Sequence, residues 1–177
     1  MSDLLVYVDE SVRSGRYVLG AVLVDASSAG ALRRSVRKLL LPGQRKLHFN
    51  NEGNRRRREL LDALVRLDVE AFAFSCRYSA EVTSEAARAR CLAAMVRELQ
   101  GWRGACQLFI ASRAELDQLD GVTIRRARLP EPRLSFQHQR PDHDPLLWLP
   151  DGVAWAVGAG GDWRRRVGPL VTIVEVS

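Results

Sequence analysis

The chain has 177 residues, 46% hydrophobic and 27% charged, a balance that supports a packed core and excludes a disordered or low-complexity protein. No apolar run reaches the ~18 residues of a membrane span, and Met1, Ser2 and Asp3 lack the basic segment of a secretory leader, so a cytoplasmic protein is expected. Lys and Arg together number 27 against 21 Asp and Glu, giving +6. Nearly all the cations are arginine, which suits a phosphate-bearing partner; a GC-rich bacterial genome produces the same bias with no function attached. Cys76, Cys91 and Cys106 stand far apart, in no metal-binding spacing, and read as reduced, buried thiols.

The run Leu4–Ser11, Leu-Leu-Val-Tyr-Val-Asp-Glu-Ser, is strand-forming and ends abruptly in two carboxylates. Alternation puts Leu5, Tyr7 and Asp9 on one face and Leu4, Val6, Val8 and Glu10 on the other. An acid closing a buried strand needs a cationic partner or water. A strand that simply reaches the surface explains the pair equally well.

Beyond a short turn at residues 13–16, Tyr17–Val24 reads as a second strand and the two as an antiparallel hairpin. Asp25 to Ser28 offer helix caps for Ala29–Leu41, which Pro42 and Gly43 end. Residues 45–49 lead into a polar loop at 50–54. A helix follows from Arg55 to about Leu67, with Leu60, Leu61, Leu64 and Val65 inward. Val69–Tyr78 reads as a strand, Ser84–Gln100 as the clearest helix, and Cys106–Ser112 as another strand. Residues 113–128 are polar and ambiguous, and 134–137 allow a short strand. Asp144–Gly158 reads as a helix and Leu170–Val176 as a closing edge strand. The alternation of strands and helices after a hairpin predicts an α/β mixed sheet flanked by helices, in one domain spanning 1–177.

The late helix carries the most informative residue. Asp151 follows Trp148 by three and precedes Trp155 by four, so the three share a helix face and a carboxylate lies on the apolar side. A buried Asp paired with arginine, or an acid at a helix N-terminus after Pro150, explains it without function. A metal ligand or catalytic acid held against the sheet is the alternative.

The segments Tyr7-Val8-Asp9-Glu10-Ser11, Leu19 to Val24, Lys46-Leu47-His48 and Leu147 to Ala154 occur in the order of a known family. On these motifs the chain resembles an uncharacterised bacterial domain family with a ribonuclease H-like fold and an Asp-Glu-Ser signature on its first strand, its actinobacterial branch above all. The resemblance implies a metal-dependent nuclease acting on RNA or DNA with Mg²⁺ or Mn²⁺. It implies Asp9, Glu10, His48 and Asp151 as catalytic positions, with Asp9, Asp151 and Glu10 as metal ligands. An ion-activated water would attack phosphorus.

One departure is visible: the strand Phe109-Ile110-Ala111-Ser112 ends in Ser112, where such a site expects a further acid. A non-catalytic binding or assembly module with a degenerate site therefore stands as the alternative. Arg55, Arg56 and Arg58 open a helix beside His48 and are candidate nucleic-acid contacts, or merely a solvated helix start. His138 and His143 with Asp142 and Asp144 form a polar loop with metal-type residues. The closing edge strand offers a route to homo-oligomers.

Overall fold

A computed structural model describes residues 3–102, 104–129 and 133–177. Strands β1 (Leu4–Arg13) and β2 (Arg16–Asp25) pair antiparallel around a turn at Ser14 and Gly15, where Gly15 takes φ +73°. Only glycine enters that region freely, which makes the tight connection possible. β3 (Glu70–Arg77), β4 (Cys106–Ala111), β5 (Leu134–Gln139) and β6 (Val171–Val176) complete one sheet of order β5-β4-β1-β2-β3-β6. β2 alone runs against its neighbours; the β1–β4, β4–β5 and β3–β6 pairs are parallel.

The sheet is buried on both sides, which is why β2 reads as a continuous apolar run rather than an alternating one. One face carries Tyr7, Val18, Val22 and Val24 against helices α1 (Ala29–Arg37), α2 (Asn54–Val65), α5 (Trp148–Ala159) and α6 (Gly161–Val167). The other carries Val6, Val8, Leu19 and Ile110 against α3 (Ser84–Leu99) and α4 (Asp117–Ala127). This is the mixed α/β architecture expected from the sequence.

Several boundaries differ from the sequence reading, each for a local reason. α1 stops at Arg37 because Leu39 and Leu40 bond back three residues and tighten the chain. The ambiguous 113–128 stretch is a short 3₁₀ turn, Ala114–Leu116, followed by α4. The glycines at 160 and 161, both with positive φ, separate α5 from α6, a helix that the glycine run concealed in the sequence. α5 begins before Pro150, at Trp148, and runs through it to Ala159. Pro150 occupies the first turn, where its missing N–H has no helical acceptor to lose.

Two contacts seat α5. Asp144 precedes the Pro145–Leu147 turn and accepts the Leu146 N–H at 3.0 Å, while Arg33 of α1 grips the same carboxylate at 2.7 Å and donates to the Tyr7 hydroxyl at 2.8 Å. Burial, reinforced by Asp144, pushes the Tyr7 hydroxyl well above its usual pKa, so it stays a neutral donor to that carboxylate. Gly20 on β2 does the second job. A Cβ there would stand 2.6 Å from the Pro150 carbonyl, so only glycine lets the helix lie this close to the sheet.

Candidate active site at the split acidic pair

Asp9 and Glu10 are neighbours on β1 just past Val8, where its pairing with β4 stops, and the pleat sends them to opposite sides of the sheet. Asp9 turns toward α5. There Asp151, one turn into the helix, reaches the same cleft of about 360 Å³, whose walls include Glu10, His48, Trp148 and Trp155. Two acids 142 positions apart in the chain thus share one concavity (151 − 9).

The contacts of the two carboxylates are few. Asp9 Oδ1 accepts the Glu10 N–H at 2.8 Å. Asp151 Oδ2 accepts the Phe49 N–H at 2.9 Å, and His48 Nδ1 lies 3.4 Å from the same oxygen. Among the described residues, no Lys or Arg forms an ion pair with either. Burial pushes Asp9 well above the ordinary carboxylate range, and the charges of Glu10 and Asp151 add to the push. Burial raises Asp151 too, against the opposing pull of the Phe49 N–H and His48.

The loop bearing His48 is docked by Gly152: a Cβ at that position would meet the Phe49 ring at 2.7 Å. Phe49 therefore packs directly on α5 and its N–H arrives at Asp151. Arg57 holds the same loop from below, donating to the carbonyls of Phe49 at 2.8 Å and Asn50 at 3.0 Å.

Glu10 points to the other face and meets a different fate. Its Oε2 forms an ion pair with Arg88 at 2.8 Å and its Oε1 one with Arg113 at 3.2 Å. Arg88 also clasps Asp120 with two bonds of 2.7 and 2.6 Å and donates to the Tyr17 hydroxyl at 2.6 Å. His138 Nε2 lies 3.0 Å from Asp120 Oδ2. Burial alone would raise the Asp120 carboxyl; the bonds from Arg88 and His138 outweigh it and hold it at about 2.

At the end of β4, Ser112 donates to Asp117 Oδ2 at 2.6 Å and the Arg113 N–H to Oδ1 at 2.8 Å. The acid that the strand lacks in sequence thus stands one helical start away, tied to Ser112. Asp117, Asp120 and His138 offer ligand atoms within 4.8 Å of one another. A cation is already there, however: the Arg88 guanidinium covers both oxygens of Asp120. The sequence reading passed over Arg88, Asp120 and this use of His138. The available signal was an arginine on the otherwise small and apolar Arg88–Cys91–Met95 stripe of α3.

The other predicted residues are dispersed. Arg55 is exposed and pairs with Glu59 at 3.2 Å; Arg56 donates to the Leu39 carbonyl; Arg58 lies over the Trp163 ring at 5.4 Å. The His138–His143 loop does not form a cluster, because Asp142 pairs with Arg140 and Asp144 with Arg33.

A hard divalent ion takes oxygen donors, and the Asp9–Asp151 cleft fits one: two partly buried carboxylates with no Lys or Arg ion pair among the described residues, beside His48, whose Nδ1 lies 3.4 Å from Asp151 Oδ2. Glu10 is not free to join them while Arg88 and Arg113 hold it. The sequence-based expectation of Glu10 as a third ligand meets this obstacle, which arises from residues distant in the chain.

The sequence matches no protein-family model and no curated protein. Solved structures do resemble the fold. The ribonuclease H2 of Pyrococcus horikoshii OT3 aligns at a TM-score of 0.53 and 18% identity, over 86% of this chain and 70% of that one. The RNase HII of Archaeoglobus fulgidus, solved in complex with PCNA, aligns at a TM-score of 0.56 and 15% identity, over 96% of this chain and 76% of that one. At such identities the likeness is one of fold: the chain adopts a ribonuclease H-like α/β fold.

Proposed function

We propose that this chain is a divalent-metal-dependent phosphodiester hydrolase acting on nucleic acid, with Asp9 and Asp151 as the residues that hold Mg²⁺ or Mn²⁺. The observation that carries the reading is the meeting of Asp9 and Asp151 in one cleft with no arginine ion pair on either carboxylate among the described residues, on a fold similar to archaeal ribonucleases H2. Bound there, the ion would supply a Lewis acid for the phosphoryl oxygen and lower the pKa of the attacking water.

The residues around it have separate tasks. Asp9 and Asp151 lower the energy of the ionised, metal-bound state relative to the strained, uncompensated one. His48, on the rim with its ring 44% exposed, exchanges a proton with the leaving oxygen. Glu10, paired with Arg88 and Arg113, adds no ligand in this reading. Arg55 and Arg58, exposed at the start of α2, weaken repulsion of the incoming backbone, whereas Arg56 is occupied by Leu39.

A second reading rests on its own observation. With Glu10 neutralised and Ser112 in place of an acid, the site resembles a degenerate one, and the chain would then be a binding or assembly module. β6 lies at the sheet edge and would be the pairing strand of a homo-oligomer.

Calorimetric titration with Mn²⁺ and Mg²⁺ separates the readings. Saturable binding lost in Asp9→Ala, with hydrolysis of an RNA, DNA or hybrid oligonucleotide that follows it, supports the enzyme. Absence of binding in both proteins supports the module. No helix among the described residues is long and apolar enough to cross a membrane.

A further inference from the structure

The wall of the cleft beyond Asp151 carries a feature the hydrolytic reading does not use. Trp155 stands four residues further along α5, about 6 Å along the axis, and two guanidinium groups lie over its indole: Arg57 at 4.4 Å and Arg13 at 5.2 Å from the ring centroid. Two like charges on one ring repel unless an anion joins them.

The two arginines are not equivalent. Arg57 has all three of its nitrogens engaged, by the carbonyls of Phe49 and Asn50 and by Asn54. Arg13 is underused. Its Nε is buried without a hydrogen-bond partner, its Nη2 reaches only the Trp155 carbonyl at 3.5 Å, and no described carboxylate forms an ion pair with it.

The place is also kept open. A Cβ on Gly158 would stand 3.2 Å from Arg13 Nε and 3.6 Å from Ser11 Oγ, so the glycine clears the groove in which the arginine lies. Ser11, like Trp155, lines the cleft that holds Asp9 and Asp151.

We propose that Arg13, held over Trp155 and backed by Arg57, is a phosphate subsite that grips the nucleic-acid backbone one phosphate away from the reacting one. Guanidinium matches phosphate geometry with paired N–H donors, and the contact with the Trp155 ring places it before the ligand arrives. The inference rests on the phosphodiester reading for the identity of the anion, but it is a statement about binding and not about cleavage.

The test is fluorescence anisotropy in EDTA with short fluorescein-labelled DNA and RNA strands, competed with inorganic phosphate, so that cleavage plays no part. Arg13→Gln should weaken strand binding about tenfold and lower the slope of log K against log salt by about one unit. Arg97→Gln, which removes an exposed charge from α3 on the other face, should do neither beyond a small uniform shift. Arg13→Lys keeps the charge and loses the planar fork, and should recover the slope but not the affinity; its melting temperature reports whether the fold is intact.

Equal losses in Arg13→Gln and Arg97→Gln, or no loss in Arg13→Gln, would overturn the subsite. So would an affinity for free phosphate matching that for the strand, which would point to a small-anion site. A strand bound through Arg13 but never cut, with or without Mn²⁺, would leave the subsite standing and remove the hydrolase.

Discussion

Two neighbouring carboxylates on one strand end in opposite electrostatic states. On the α5 face, Asp9 shares a cleft with Asp151, neither has an arginine ion pair among the described residues, and both are pushed above the ordinary carboxylate range. On the α3–α4 face, Glu10 enters a network in which Arg88 and Arg113 neutralise it and Asp120 is held at about 2. The pleat of one peptide unit decides which acid is stored as strain and which as stability. Buried charges without a partner are kept for binding; buried charges with one hold the fold together.

The sharpest way to break this comparison is on the paired side. Arg88 and Asp120 are each 3% exposed, so Arg88→Met strands a buried carboxylate and should cost about 3–5 kcal/mol. For a chain of this size that lowers Tm by roughly 6–20 °C by calorimetry. Arg88→Met combined with Asp120→Asn should recover most of the loss; an additive double variant would mean that the two do not act as a pair.

On the open side, Asp9→Asn preserves shape and removes charge. Metal-dependent hydrolysis should fall at least about a hundredfold, and the Tm increase produced by Mn²⁺ in the wild type should vanish. A variant that retains either one would move the metal away from Asp9.

Acid distinguishes the two sides by sign. Asp120 has a folded-state pKa below its unfolded value, so its contribution of about 2 kcal/mol is present above the ordinary range near 4 and lost as pH falls through about 2. Wild type should lose stability over that interval and Asp120→Asn should be flatter, read by chemical denaturation across the pH series.

The smallest effect is the opposite one. Asp9 has a raised folded-state pKa, so the native state binds the extra proton and stability declines as pH rises above the unfolded value. Asp9→Asn should therefore melt a few degrees higher than wild type at neutral pH, by about 1 kcal/mol, with the gap closing as pH falls to the ordinary carboxylate range. A lower Tm for the variant at neutral pH would show that Asp9 is already compensated.

Much of this was legible in the chain. The period-two run at Leu4–Ser11, the hairpin turn and the helical stripe at Ser84–Gln100 each report a local preference, and each corresponds to an element of the structure. Asp151 between Trp148 and Trp155 was visible because helical spacing is itself local, and all three line the cleft. The polar 113–128 segment was not legible: its helix is held by partners elsewhere, Asp117 by Ser112 and Asp120 by Arg88 and His138.

The sequence by itself determined that Asp9 and Glu10 would leave β1 on opposite faces, because alternation along a strand is a property of the backbone. Which of the two would be neutralised was settled only by tertiary structure. α3 brings Arg88 under Glu10, while Gly20 and Gly152 let α5 and the His48 loop close over Asp9, which has no arginine ion pair among the described residues. Pairing of charges depends on which helices meet across the sheet, and local preference along the chain carries no record of that.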